Sequence, residues 1–485
     1  LSKPTTTRLP KLLSYACGEG ANSLVMNGVF AFALIYYTKA LGLDPFWAGI
    51  ALSISIFSEA IAGPLMGHFS DTTRSRWGRR HPYLIGGGLM MVLCGYLIWA
   101  VPQSFRGHPW EIFWYLLVIN LLLQTGVTMF FVPYMALGFE LCTDDLGRSR
   151  LQAIRLIFNL TVNFAGPAMA WTWFFKDQGN LRGTTVAANY QHMGTTFALA
   201  SAVFVVILVA GTWSSIKDTR QLVSKADGHW IREFYRDLSR IVVDPNLRWV
   251  IVFIFATCFG TAWVSALQIF VYDDFMKIPA HEKTIAHGST MVGMALGAFF
   301  SMGLAKRFDK KSAVILGGLI SVMGNGMLGL LFLTGIVRPG GIVAISGHDL
   351  PLSLGIFVVL YASYWLGIGI MLPNVTAMVA DVAEIHQLRT GIKKEGSYSA
   401  VFSLSSRLAG AIGLMAAGYA LHFIGYQVLP QGEAVTQSEP AIWRLGLLTF
   451  VGGTLVCLLA LLAIRKHSIT RDRLEKISAT AGLES

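Results

Sequence analysis

The chain has 485 residues, of which 54% are apolar and only 13% are Asp, Glu, Lys or Arg; that is about half the charge of a soluble domain. At ~20 apolar residues per bilayer crossing, the apolar inventory could build at most roughly thirteen spans, which excludes a soluble enzyme, a disordered chain and a disulfide-stapled secreted domain. In so apolar a chain a net charge of +11 marks one side of a membrane rather than a nucleic-acid partner.

In chain order, apolar runs and their polar interruptions predict twelve spans, near residues 12–41, 46–70, 82–101, 110–142, 150–175, 192–214, 248–276, 285–305, 312–336, 353–380, 396–424 and 441–464. The first run is span-length and ends in Tyr36-Tyr37-Thr38-Lys39 with no small-residue cleavage site, so it is expected to stay as a span. The longest interruption divides the spans six and six. The expected organisation is an N-terminal six-helix bundle over 1–214, a cytoplasmic linker over 215–247, a C-terminal six-helix bundle over 248–464 and a cytoplasmic tail over 465–485. In the linker, Trp230, Ile231, Phe234, Leu238 and Ile241 fall at helical spacing with Arg232, Arg236 and Arg240 between them, the pattern of an amphipathic interfacial helix.

Assigning the N-terminus, the even-numbered connections and the tail to one side gathers most of the 38 Lys and Arg residues there. By the positive-inside rule both termini are cytoplasmic, as an even span number requires. The five cysteines lie in or beside apolar runs, without CxxC or Cys/His spacing, and read as small buried hydrophobes. Two connections echo each other: Gly67-His68-Phe69-Ser70-Asp71 leading to Arg79-Arg80, and Gly303 leading to Lys306-Arg307-Phe308-Asp309-Lys310-Lys311. Each is expected to place a helix-ending glycine before an acid and a basic cluster, as fused repeats would.

Gly63-Pro64-Leu65-Met66-Gly67 followed by Asp71-Thr72-Thr73-Arg74-Ser75-Arg76-Trp77-Gly78-Arg79-Arg80-His81-Pro82 resembles the major facilitator superfamily. More narrowly the chain is similar to the glycoside-pentoside-hexuronide:cation symporters, the group of the melibiose permease, with sucrose transporters and animal lysophospholipid symporters as more distant relatives. The likeness continues through Pro133-Tyr134, Glu140 to Asp144, Arg155, Asp381-Val382-Ala383-Glu384, Thr390-Gly391 and Lys393-Lys394-Glu395-Gly396. It implies an all-α membrane protein of twelve transmembrane helices in two six-helix bundles, a cavity near the midplane, and alternating access driven by a cation gradient. Departures from the sugar-transporting pattern are informative. Where melibiose-type members carry two helix II aspartates, a helix IV aspartate, a helix I aspartate and a stacking tryptophan, this chain has Glu59 and Gly63, Phe131, Ser23 and Met135. The basic residue of helix V survives as Arg155 and the helix XI lysine as Arg407.

An ionisable group within a bilayer costs at least ~2.5–3.5 kcal/mol and is a functional candidate by default. Glu59, in the middle of span 2 with Ser55 and Ser58 nearby, is the candidate cation-coupling group, with a structural partnership to an arginine as the alternative. Glu19, in Gly18-Glu19-Gly20, is a second coupling candidate or else pairs with a neighbouring loop. One carboxylate suffices for a proton, whereas sodium wants several oxygen ligands, and Gly63 and Phe131 deplete that set; a proton is therefore expected over sodium. Arg155 and Arg407, from opposite halves, are candidates to hold an anionic substrate bidentately or to neutralise an acid when no substrate is bound. Ser23, Asn27, Asn159, Asn163, Trp263, Gln268, Trp365 and Tyr398 are further candidate substrate contacts, since amides and aromatic faces suit sugar rings. Trp and Tyr also populate bundle interfaces. Asp71, Arg76, Arg79, Arg80, Asp144, Arg148, Asp381 and Glu384 are expected to be gating charges, and Asp273 and Asp274 an interfacial solvated pair or an outer gate.

These readings predict a proton- or cation-coupled symporter of a sugar, glycoside or sugar acid. A lysophospholipid carrier of the same fold is the alternative, motivated by Phe131 and Met135. No HExxH, Ser/His/Asp set or phosphate loop suggests an enzyme, and no cofactor, metal or nucleic-acid partner is expected. The N-x-[ST] matches at Asn159 and Asn374 lie inside spans, which favours a bacterial inner membrane, and a monomer is expected.

Overall fold

The computed structural model describes residues 9–142, 145–177, 182–216, 247–341, 343–345, 348–350, 352–390, 395–428 and 436–467. Asp144, the whole of the expected linker helix and most of the tail lie outside the described residues. The helices α1 (Leu9–Ile35), α2 (Pro45–Thr72), α3 (His81–Leu97), α4 (Pro109–Leu141), α5 (Asp145–Met169) and α6 (Ala187–Thr212) form one compact unit. The second unit holds α7 (Arg248–Phe270), α8 (Ala280–Phe308), α9 (Lys310–Leu333), α10 (Leu352–Thr390), α11 (Glu395–Phe423) and α12. The last is a composite of Glu439–Gly446, a π turn Leu447–Gly452 and Gly453–Arg465. A two-stranded antiparallel hairpin, Val343–Ile345 with His348–Leu350, interrupts the α9–α10 connection. Nine helices among the described residues are long and apolar enough to cross a membrane, and α3 is apolar but shorter, at 17 residues.

Local chemistry sets where helices start and stop. Asp44 caps α2 by accepting from Phe46 N at 2.8 Å, with Pro45 in the first turn, and Ser438 with Pro440 does the same for α12, the arrangement that satisfies orphan N–H groups. Carbonyls at the end of α3 are covered by phenols: Tyr36 and Tyr37 donate to Trp99 O and Ile98 O, each at 2.7 Å, and Tyr115 to Leu97 O at 2.7 Å. In a membrane those acceptors would otherwise go without water.

Both matched connections differ from expectation, because the helices run on past the glycines, α2 to Thr72 and α8 to Phe308. The stop comes at Thr73, which is extended, and at Asp309, whose φ of 74° lies in the left-handed half that favours glycine. Helix α10 also exceeds its expected span by ten residues at the C-terminal end and has 39 residues in all. Asp381 and Glu384 therefore stand on a helical extension rather than in a loop.

Small residues let backbones touch where no water-driven force acts between helices. A Cβ on Gly87 of α3 would lie 2.6 Å from Phe130 N of α4, and one on Gly126 of α4 would lie 2.8 Å from Met91 N. In the second unit Gly293 and Gly297 of α8, one turn apart, sit against the Ala362 and Leu366 carbonyls of α10 in the same way.

The two units repeat one irregularity. Helix α1 passes into a five-residue π turn, Tyr36–Ala40, and its counterpart α7 into another, Val271–Phe275. Their equivalent places in six-helix units support the internal repeat read from the connections.

Candidate substrate and ion-coupling site

In the first unit the polar side chains of α1 and α5 form a ladder. Glu19, Ser23 and Asn27 recur every four residues on α1, and Arg155, Asn159 and Asn163 do so on α5. At 3.6 residues per turn each set forms one stripe, and the stripes meet. Arg155 Nη2 pairs with Glu19 Oε2 at 2.5 Å and Nε donates to the same oxygen at 3.1 Å, while Nη1 donates to Gln152 Oε1 at 2.9 Å. Asn159 Nδ2 donates to Ser23 Oγ at 2.9 Å and reaches Glu19 Oε1 at 3.2 Å. Asn163 donates to Asn159 Oδ1 at 2.8 Å and accepts from Asn27. The Arg155 guanidinium also lies over the Tyr134 ring, 5.3 Å from its centroid, and Tyr134 stacks on Tyr15.

Glu19 thus pairs with the helix V arginine and not with a loop. Two charges are nearly dehydrated here, at about 10% side-chain exposure each. Such burial is tolerable only with good geometry and further hydrogen bonds, which Asn159 supplies to Glu19 and Gln152 to Arg155. The stripe offers, in order, a cation, a carboxylate, a hydroxyl and amides. Those are the groups that hold a polyol or a carboxylate.

Glu59 is half-buried on α2. One turn beyond, a Cβ on Gly63 would meet nothing within 4 Å, so α2 faces open space where melibiose-type members carry an acid. Ser55 and Ser58 are engaged elsewhere: Ser58 donates to Ser55 O, and Ser55 donates to Leu52 O while accepting from buried Asn120 of α4 at 2.5 Å. Phe131 tilts against Tyr134, with ring centroids 5.8 Å apart.

Three of the five candidates of the second unit, Gln268, Trp365 and Tyr398, are drawn into its interior. Trp263 donates to Leu448 O at 2.9 Å, inside the π turn of α12. Gln268 is buried, bonded to His287 Nδ1 at 2.9 Å and to Tyr361 Oη at 3.1 Å. Trp365 and Tyr398 are buried too, Tyr398 with its ring 5.7 Å from that of His386. Arg407 is half-buried, its Nε 3.4 Å from Ser403 Oγ.

Four of the expected gating charges, Asp71, Arg79, Arg80 and Asp381, form ion pairs inside their own units. Arg80 binds Asp71 at 2.5 Å, Glu140 at 2.9 Å and Ser70 Oγ at 2.6 Å, while Arg79 binds Glu140 at 2.7 Å. Glu140 thereby ties the end of α4 to the start of α3 and the end of α2. Glu140 is not among the gating charges expected from the sequence, although an acid at the end of a span, with two arginines in the preceding connection, is a legible signal. In the second unit Lys310, also uncounted, grips both Asp381 oxygens at 2.6 and 2.7 Å. Arg76 lies over its neighbour Trp77, and Glu384 is exposed. The Arg148 side chain lies outside the described residues.

The expectation of a solvated Asp273–Asp274 pair fails for Asp273, which is fully buried against Lys283 at 2.5 Å. Helix α8 begins at Ala280, several residues before the expected span, and carries Lys283 inward. Asp274 instead accepts from Tyr426 Oη at 2.5 Å.

The family model described as MFS/sugar transport protein matches residues 14–471. The chain is 24% identical to the isoprimeverose transporter of Lactiplantibacillus pentosus over 85% of its length and 80% of that protein. It is 23% identical to the glucuronide carrier protein homolog of Escherichia coli over 86% and 84%, and 24% identical to the human sodium-dependent lysophosphatidylcholine symporter 1 over 91% and 79%. Among solved structures the nucleoside transporter NupG superposes with a TM-score of 0.63 over 95% of this chain and all of that one, at 12% identity. A polar ladder inside a six-helix unit, repeated units and full-length matches to transporters converge: the chain belongs to the MFS/sugar transport protein family and is a multi-pass membrane transporter of the major facilitator superfamily, similar to glycoside-pentoside-hexuronide symporters.

Proposed function

We propose that this symporter carries a sugar, glycoside or sugar acid, recognised through the α1–α5 ladder and coupled to a proton through Glu59. The ladder is the observation that carries the reading. A hydroxyl-rich ligand needs many paired hydrogen bonds, because a buried donor left alone costs ~1–3 kcal/mol. Glu19, Ser23, Asn27, Asn159 and Asn163 supply acceptors and donors at one-turn intervals, and Arg155 supplies the group that takes a carboxylate bidentately. Glu19 neutralises Arg155. A sugar acid would replace that carboxylate by its own, and a neutral sugar would donate hydroxyls to it.

Glu59 stands on α2 beside Gly63 and so lacks the second helix II acid. A single carboxylate can take up and release a proton, whereas sodium asks for several oxygens. A lysophospholipid remains the second reading, favoured by Phe131, by the human relative and by the apolar outer face of α5, where Leu156, Ile157, Leu160 and Phe164 are exposed.

The test is thermal unfolding of the detergent-purified protein with glucuronic acid, neutral hexoses and pentosides, and lysophosphatidylcholine, since a ligand stabilises the fold by mass action. The reading expects stabilisation by a member of the sugar group that is lost in Asn159→Ala. Stabilisation by lysophosphatidylcholine alone would replace it with the lipid reading.

A further inference from the structure

The second unit contains a buried titratable cluster that the reading above does not use. Helices α7 and α8 are cross-linked twice, Gln268 to His287 and Asp273 to Lys283, and the order of the pairs makes the helices antiparallel. On α8 the two positions are four residues apart, one turn. On α7 they are five apart, which in an α-helix would turn Asp273 well away from Gln268. The π turn Val271–Phe275 absorbs the extra residue and brings both onto one face; π turns of this kind are frequent at functional sites. Asp273 is 0%, Lys283 1%, Gln268 2% and His287 7% exposed.

The hydrogen-bond partners are consistent with one protonation state. Oε1 of Gln268 can only accept, so Tyr361 Oη donates to it. The amide nitrogen can only donate, so Nδ1 of His287 accepts. In this state His287 is therefore neutral, with its proton on Nε2. A proton arriving at Nδ1 would set two donors face to face. Reversal of the Gln268 amide relieves this: Oε1 then accepts from Nδ1–H, and Nε2 donates to the Tyr361 oxygen. The chain thus has two self-consistent settings that differ by one proton.

We infer that His287 is a second proton-binding site, located in the C-terminal unit and separate from Glu59, and that Gln268 is the element that switches with it. The charged and titratable groups around it are few. Its own helix carries Glu282 and Lys283 nearby; the π turn carries Tyr272, Asp273 and Asp274; α10 carries Tyr361 and Tyr364. Helix α9 also packs on α8 and holds only Lys310 and Lys311, at its far end. In the resting setting Asp273 cancels Lys283, and Asp274 is held by Tyr426. The added proton leaves the cluster with one uncompensated positive charge in a dry environment, which favours a change in how Asp273 is shared. The Tyr272 hydroxyl, buried and with no hydrogen-bond partner among the described residues, is a spare group for that rearrangement.

The experiment is nuclear magnetic resonance of the full-length protein, labelled with nitrogen-15 at histidine, in lipid nanodiscs from about pH 8 to about pH 4, a range that extends below the one in which exposed histidines switch. The His287 signals are assigned by their loss in His287→Asn, which keeps an acceptor where Nδ1 stands. The inference expects the Nε2–H tautomer at high pH, conversion to imidazolium as pH falls, and an upward shift of that titration by about one unit or more in Gln268→Glu, where a carboxylate faces the ring. A His287 that stays neutral throughout, or a titration that Gln268→Glu leaves in place, overturns it. No substrate enters the experiment, and Glu59→Gln should leave the titration unchanged, so its outcome is distinct from that of the Glu59 reading.

Discussion

Glu19 and Arg155 show what a residue's identity reveals and what it withholds. Each stands out in the sequence as an ionisable group inside an apolar run, and Ser23, Asn27, Asn159 and Asn163 stand out as polar ones. That they mesh rung by rung depends on the rotation of α1 against α5, which side-chain spacing on either helix alone does not determine. The same limit hid Asp273, whose burial follows from a π turn with no sequence signature of its own. Two predictions belong to this scale. Arg155→Lys keeps the charge but loses the planar fork that now contacts Glu19 through two nitrogens. Because hydrogen bonds to charged groups contribute ~1.5–3 kcal/mol, ligand affinity should fall roughly ten- to a hundredfold, read by titration calorimetry; an unchanged affinity would remove Arg155 from the site. Glu19→Gln frees Arg155 from its internal counter-ion, and should shift preference toward glucuronic acid over neutral sugars in the same assay.

Among the elements, the twelve helices were legible because a bilayer demands long apolar runs with internally satisfied backbone, and their centres agree with the expected spans. Their ends were less legible. Gly67 and Gly303 read as terminators, yet both helices continue, because a glycine in a packed helix serves close approach as readily as termination. Phenols closing α3 from α1 and α4 are contacts between distant parts of the sequence and leave no local trace. Glu140 is the clearest element-level case: it joins the ends of α2, α3 and α4 through Arg79 and Arg80, at 9% side-chain exposure. Removing one partner of a buried pair leaves the other charge stranded, at a cost of ~3–5 kcal/mol. Glu140→Ala should therefore lower the melting temperature of the purified protein markedly, whereas Glu384→Ala, at an exposed position, should leave it nearly unchanged. Equal effects of the two would show that the Glu140 cluster does not hold the helix ends.

For the whole molecule, the even span count, the charge asymmetry and the repeated connection were enough to read twelve spans in two halves, whereas the transporter reading came from the resemblance carried by the Gly63–Pro82 run, and the family match over residues 14–471 agrees with it. Coupling was the part that residue patterns left open, because it is set by which acids stay protonatable as access alternates. We place it on Glu59, with open space at Gly63 one turn away. The direct test is uptake of the radiolabelled sugar ligand identified by thermal unfolding into proteoliposomes, under an imposed pH gradient or an imposed sodium gradient, by the parent protein and Glu59→Gln. The account predicts accumulation driven by the pH gradient without sodium, abolished in Glu59→Gln while exchange of substrate across the membrane persists. Accumulation that requires sodium, ignores pH and survives Glu59→Gln would contradict it.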